Sequence, residues 1–208
     1  MIRKSDEFRV QQPGGGLRSR TGAHVPGVGT LGMKIFIASL SFIFAATILL
    51  YVLIVANDET PDVHVLPVVS IGMAVSTIVI LASSFTLRRA TRAIRHDDRE
   101  GLFTWLRRTL GLGYAFGVSQ TVNWVVMVLS GISFDPSERH SGMFVVVTVV
   151  HALHVVGGVV RLVQITGRAR RKEFSASEHE PVTNLALYWH FLDVVWVLLV
   201  IAIVAVTV

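Results

Sequence analysis

Apolar and polar residues fall in alternating blocks along this chain. Five apolar stretches, at about 33–55, 65–87, 109–131, 142–165 and 185–207, are separated by segments rich in charge and turn formers. At 1.5 Å per residue each stretch is long enough to cross a hydrocarbon core about 30 Å thick. The pattern predicts an all-α protein, a polytopic transmembrane five-helix bundle over residues 33–208, with its termini on opposite sides of the membrane. Residues 1–32 are polar and rich in glycine and arginine, with Pro13-Gly14-Gly15-Gly16 in their middle, and are expected to form a flexible basic tail. The first apolar run starts too late and lasts too long for a signal peptide.

Charge adds an orientation. Lysine and arginine gather in the tail, in the segment between spans two and three (Arg88, Arg89, Arg92, Arg95, Arg99, Arg107, Arg108) and in the segment between spans four and five (Arg168, Arg170, Arg171, Lys172). The two opposite loops hold only Arg139. Basic residues stay on the cytoplasmic side of short loops, so the N-terminus is expected inside and the C-terminus outside, in a bacterial plasma membrane. The acidic turn Asn57-Asp58-Glu59-Thr60-Pro61-Asp62 is then expected outside. The net charge of +5 follows from that placement, and no nucleic-acid module is readable, so no nucleic-acid partner is expected. Composition, with 52% apolar and 16% charged residues, agrees with a membrane protein, and the lack of cysteine excludes disulfides, thiolate metal sites and thiol catalysis.

Chemistry is sought among the polar residues inside the spans, because an ionisable group at bilayer depth is costly unless it is paired within a bundle. Span one carries only Lys34, at its basic end, where it can snorkel. Span two ends in Ser83 and Ser84, whose small size favours close helix approach and whose hydroxyls can bond helical carbonyls. The run from Arg88 to Gly101 continues it as a charged helical extension and turn that attracts anionic headgroups. In span three Gly113 and Gly117 form a GxxxG pair, and Gln120 and Asn123 share a face suited to interhelical hydrogen bonds.

Span four places His151 and His154 on one face, followed by Gly157 and Gly158. Three readings stay open for the pair: neutral histidines bonded to neighbouring helices, ligands to a haem that would borrow His190, or a proton relay. Span five contains Tyr188-Trp189-His190-Phe191-Leu192-Asp193-Val194-Val195-Trp196. His190 and Asp193 are expected to pair, with Tyr188, Trp189 and Trp196 supplying bulk and polar handles.

The order of these motifs resembles subunit III of the heme-copper terminal oxidases, a family in which HxxHVxxG and YWHFxDxVW recur in the last two helices. Leu112-Gly113, Gln120 and Leu31-Gly32-Met33 with Phe36-Ile37-Ala38-Ser39 extend the resemblance over about residues 31–207. It implies a non-catalytic subunit that docks on subunit I of a respiratory oxidase, supports O₂ reduction and proton uptake there, binds membrane phospholipids and carries no haem or copper itself. Those centres are expected in partner subunits. On this reading His151, His154, His190, Asp193, Gln120 and Asn123 are intramembrane polar contacts, and Gly113, Gly117, Gly157 and Gly158 serve helix packing. Arg168 falls where the family often has a lipid-headgroup contact.

Leu40 and Asn123 stand where many relatives carry acids, so a proton-buffering role tied to those acids does not carry over. Residues 1–32 cannot replace the two extra N-terminal helices of the long family form, so any lipid cleft would need a second chain as its other wall. The metal centres lie in other subunits, so a cytochrome c oxidase, a quinol oxidase and a nitric-oxide-reductase-associated complex all remain open, with the first expected. Two other classes are a b-type cytochrome using His154 and His190, and a small transporter. The latter fits poorly with spans that lack internal proline.

Overall fold

The structure, a computed structural model, describes residues 28–57, 67–130 and 139–207. Among them are five helices: α1 (Val28–Ala56), α2 (Pro67–Arg95), α3 (Arg99–Leu129), α4 (Arg139–Arg170) and α5 (Glu180–Thr207). All five are long and apolar enough to cross a membrane. Large apolar side chains such as Phe42, Ile78, Val118 and Leu129 are exposed on the outside of the bundle, as a lipid solvent requires. The tail residues 1–27 and most of the acidic turn lie outside the described residues.

The helices differ from the apolar stretches in length. α1 begins at Val28, so residues 28–32, expected in the tail, are helical. α2 continues to Arg95 and α3 starts at Arg99, well before the hydrophobic run at 109. With 29 residues, α2 is about 44 Å long and must emerge from a hydrocarbon core of about 30 Å. The emergent parts stay helical because Leu87, Ala90 and Ile94 of α2 pack with Leu102 and Leu106 of α3 in one buried cluster. That spacing of three and four residues is a buried helical stripe, with the arginines on the other faces.

Helix α5 is the central element, packed against α1, α2 and α4; α2 and α3 form a close antiparallel hairpin, and α4 closes the ring against α1 and α3. The core is continuous through α5. One buried cluster, around Leu106, Leu162, Leu185 and Trp189, fills the end that carries the basic turns, and a second, around Phe44, Met73, Val195 and Leu199, fills the other.

The two turns at the basic end are built alike and dock on each other. After α2, Asp97 adopts φ 56° and after α4, Lys172 adopts φ 58°, the left-handed conformation of a helix C-terminus. In the first turn Asp98 N donates to Ala93 O and Asp97 N to Ile94 O. In the second, Glu173 N donates to Arg168 O and Lys172 N to Ala169 O. Asp98 then caps α3 by accepting from Gly101 N at 2.8 Å. Between the turns, Ala176 N donates to Asp97 Oδ1 at 3.2 Å and Lys172 Nζ to Glu100 Oε1 at 3.2 Å. Glu180 adds a third tie by accepting from Thr30 N at 2.7 Å, which caps the start of α1 from the start of α5.

Phe174 lies beneath the docked turns, 2% exposed, with the Arg168 guanidinium 4.8 Å over its ring. Replacing Phe174 by alanine should lower unfolding stability by about 3 kcal/mol, the usual cost of emptying an aromatic site, and leucine should restore most of it. Thermal unfolding in mild detergent checks this; an unchanged midpoint for Phe174→Ala would contradict the placement.

Candidate functional site

The polar residues within the membrane converge on one segment of α5, from Tyr188 to Trp196. Helical spacing turns these side chains in different directions, and each reaches a different neighbour. Trp189, 1% exposed, donates from Nε1 to Ser83 Oγ of α2 at 3.0 Å. Its ring lies against α3 and α4 as well: a Cβ added at Gly113 would stand 3.1 Å from Trp189 Cη2, and one at Gly158 would stand 3.4 Å from Trp189 Cζ3. One indole thus touches three helices, and Gly113 makes the room for it.

Seven residues on, Trp196 Nε1 donates to Thr77 Oγ1 of α2 at 3.1 Å. Its ring stacks on His151 of α4, with centroids 5.6 Å apart, and meets Phe116 of α3 edge-on at 5.1 Å. On the α4 side Tyr188 OH donates to the His154 carbonyl at 3.0 Å. His151, 3% exposed, donates from Nε2 to the Leu192 carbonyl at 3.3 Å. His154 turns back on its own helix and donates from Nδ1 to Val150 O at 2.7 Å, with its ring edge-on to Phe44 of α1 at 5.2 Å.

His190 and Asp193 are close, but their relation differs from the expected pair. His190 Nδ1 makes its hydrogen bond to Ser84 Oγ at 2.5 Å, while Asp193 Oδ2 stands 3.6 Å from the same nitrogen. That distance allows an ionic contact and is too long for a hydrogen bond. Asp193 is 4% exposed, and both its carboxyl oxygens are buried without a hydrogen-bond partner among the described residues. They border a void of about 10 Å³ shared with His151, Val155 and Trp196. The i,i+3 spacing brings the two residues to one side of α5, and Ser84 then takes the nitrogen.

The two amides of α3 meet different surroundings. Asn123 reaches Ser76 Oγ of α2 at 3.5 Å, where Ser76 also bonds Ser119 at 2.8 Å. Its carboxamide occupies the space where a Cβ of Gly72 would stand. Gln120 makes no such bond: its Nε2 is buried without a partner among the described residues, at a cleft of about 680 Å³ between α3 and α4. Among the described residues Gly117 and Gly157 have no close packing partner. A Cβ at Gly117 would meet nothing within 4 Å, and one at Gly157 would only graze Tyr188 OH at 4.0 Å. Gly113 admits a ring rather than a neighbouring backbone. Arg168 pairs with Glu173 at 2.8 Å and lies over Phe174, so its guanidinium, though partly exposed, is engaged by the second turn.

His154 lies against α1 and His190 against α2, on different sides of α5. Among the described residues no three of His, Asp and Glu come together as a metal site would require. The partners on α2 were the harder part to foresee. Thr77 and Ser84 lie seven residues apart, as do Ser76 and Ser83, so hydroxyls recur every two turns along the face turned to α5 and α3.

The family profile described as Cytochrome c oxidase subunit III matches residues 17–207. Among similar proteins, the cytochrome c oxidase subunit 3 of Thermostichus vulcanus is 27% identical over 175 residues, 84% of this chain and 85% of the relative. The corresponding protein of Synechocystis sp. is 28% identical over 181 residues, 84% of this chain and 74% of the relative. A probable cytochrome c oxidase subunit 3 of Nocardia farcinica is 28% identical over 191 residues, 90% of this chain and 93% of the relative.

Because Ser84 holds the His190 nitrogen, Ser84→Ala should destabilise the bundle by about 1–2 kcal/mol through a buried unpaired group, whereas Asp193→Asn should cost less. Unfolding in mixed detergent micelles checks the order, and the reverse order would assign the nitrogen to Asp193. Gly113→Leu should drive Trp189 out of its site, seen as a shift of tryptophan fluorescence; unchanged emission would place the ring elsewhere.

Proposed function

From the premise that this chain belongs to the cytochrome c oxidase subunit III family, an integral membrane component of an oxidase complex, we propose that it is a non-catalytic subunit of a respiratory heme-copper terminal oxidase. Its part is to support O₂ reduction and proton uptake carried out in subunit I. Haem and copper belong to partner subunits, and cytochrome c is the electron donor, as the names of the relatives suggest. The N-terminus and the two docked basic turns face the cytoplasm, in keeping with the distribution of arginine and lysine.

The observation that carries this reading is the use made of the α5 motif. Trp189, Trp196, Tyr188 and His151 each bind another helix of the same bundle. A segment engaged in this way supports a scaffold that presents a fixed outer surface to a larger partner.

Purification in mild detergent through an N-terminal tag tests the proposal. Mass spectrometry should find a haem- and copper-bearing subunit I among the co-purifying chains, and the chain separated from it should be colourless. A Soret band that stays with the separated chain, or a complex without such a subunit, would overturn it.

A further inference from the structure

α3 and α4 touch toward the basic end and then part. At Gly113 an added Cβ would stand 3.9 Å from Val159 Cγ2 of α4, and beyond that contact the cleft of about 680 Å³ opens between the two helices. It reaches inward to Trp196 of α5 and is walled by Tyr114, Trp124 and Phe144. A second hollow of about 440 Å³ continues it toward the other face of the membrane, sharing Thr121, Trp124 and Thr148 and otherwise lined by valine and leucine.

Polar atoms without partners stand on both walls. On α3, Gln120 Nε2 is buried and unpartnered among the described residues. Trp189 and Trp196 donate to α2, but Trp124 Nε1, one turn beyond Gln120 on the same side of α3, has no hydrogen bond among the described residues. On α4, His151 borders the cleft at 3% exposure. Its Nε2 carries the proton, because the Leu192 carbonyl can only accept. In the neutral ring Nδ1 is then a lone pair, which no donor reaches among the described residues. One wall offers donors and the other an acceptor, at a depth where water does not satisfy either.

Depth and shape narrow the occupant. The apolar stretch of α3 begins at about residue 109, so Gln120 lies about 16 Å along it, near the middle of a core about 30 Å thick. Phospholipid oxygens stay at headgroup level, and an acyl chain in the cleft would leave these groups unsatisfied. A transmembrane helix, about 10 Å across, is too thick for a slot whose walls meet at Gly113 and Val159. A flat ring that carries oxygens, dissolves in hydrocarbon and trails an apolar tail meets each demand.

We propose that the cleft binds one isoprenoid quinol, its ring between α3 and α4 and its tail along the second hollow. One ring oxygen accepts from Trp124 Nε1 and from Gln120, whose amide turns readily about its last torsion. The hydroxyl opposite donates to His151 Nδ1. The volume suits this occupant, since pockets for small organic ligands run from about 300 to 1,000 Å³. Binding here involves no electron transfer and is the same whichever donor the oxidase uses.

The test uses the complex that purifies with the chain, loaded under argon with menaquinol-4 in micelles, washed, and extracted so that mass spectrometry counts the retained molecules. Ala152→Trp, which fills the cleft from α4, should remove one molecule per chain relative to wild type. Gln120→Leu should weaken retention roughly tenfold, the loss of one hydrogen bond. Phe42→Trp adds bulk on the outer face of α1, where Phe42 is 79% exposed, and should change nothing. Oxidised menaquinone-4 cannot donate to His151 and should be retained less well than the quinol; equal retention would contradict that bond. A count left unchanged by both Ala152→Trp and Gln120→Leu would place the ring elsewhere in the complex and overturn the site. So would p-benzoyl-phenylalanine in place of Val156, on the cleft wall, that cross-links to a phospholipid or a protein subunit while menaquinol-4 is present.

Discussion

Hydrogen-bonding groups inside a bilayer have no water to fall back on, and this requirement orders the bundle around α5. Two indoles, a phenol and two imidazoles must each find a partner within reach of one helix. They find them on α2 and α4: Ser83 for Trp189, Thr77 for Trp196, Ser84 for His190, and carbonyl exchanges with α4 through Tyr188 and His151. The bonds are directional, so they fix the rotation and depth of α5 against both neighbours. Packing of apolar side chains alone specifies neither so closely, because lipid tails are as apolar as the side chains they would replace.

Glycine completes that arrangement on α3, where the Trp189 ring lies so close to Gly113 that a Cβ there would stand 3.1 Å from it. Among the described residues α1 shows no comparable side-chain bond to the middle of α5, and it is the least enclosed helix. It is held at its start by Glu180 and farther along by Phe44 against His154 and Phe191.

The number, order and class of the helices were legible in the sequence because twenty-odd apolar residues in lipid have few alternatives to a helix. Their ends were not. Hydropathy marks the part of α3 from about residue 109, while Leu102 and Leu106 keep the helix going to Arg99 because they are buried against α2. For the polar residues, spacing identified which ones share a face but not which acceptor each would take. His190 and Asp193 share a side of α5, yet Ser84 on another helix has the better geometry for the nitrogen. Gly117 had the same spacing argument as Gly113 and differs only in what stands opposite, which a single sequence does not contain.

The directional bond between Trp189 and Ser83 is the most exposed point of this account. A double-mutant cycle of Ser83→Ala and Trp189→Phe, read by unfolding in mixed micelles, measures it with the ring volume kept. The arrangement predicts a favourable coupling of about 0.5–1.7 kcal/mol, the range of interhelical hydrogen bonds within membranes. Strict additivity of the two substitutions would mean that the indole does not join α5 to α2.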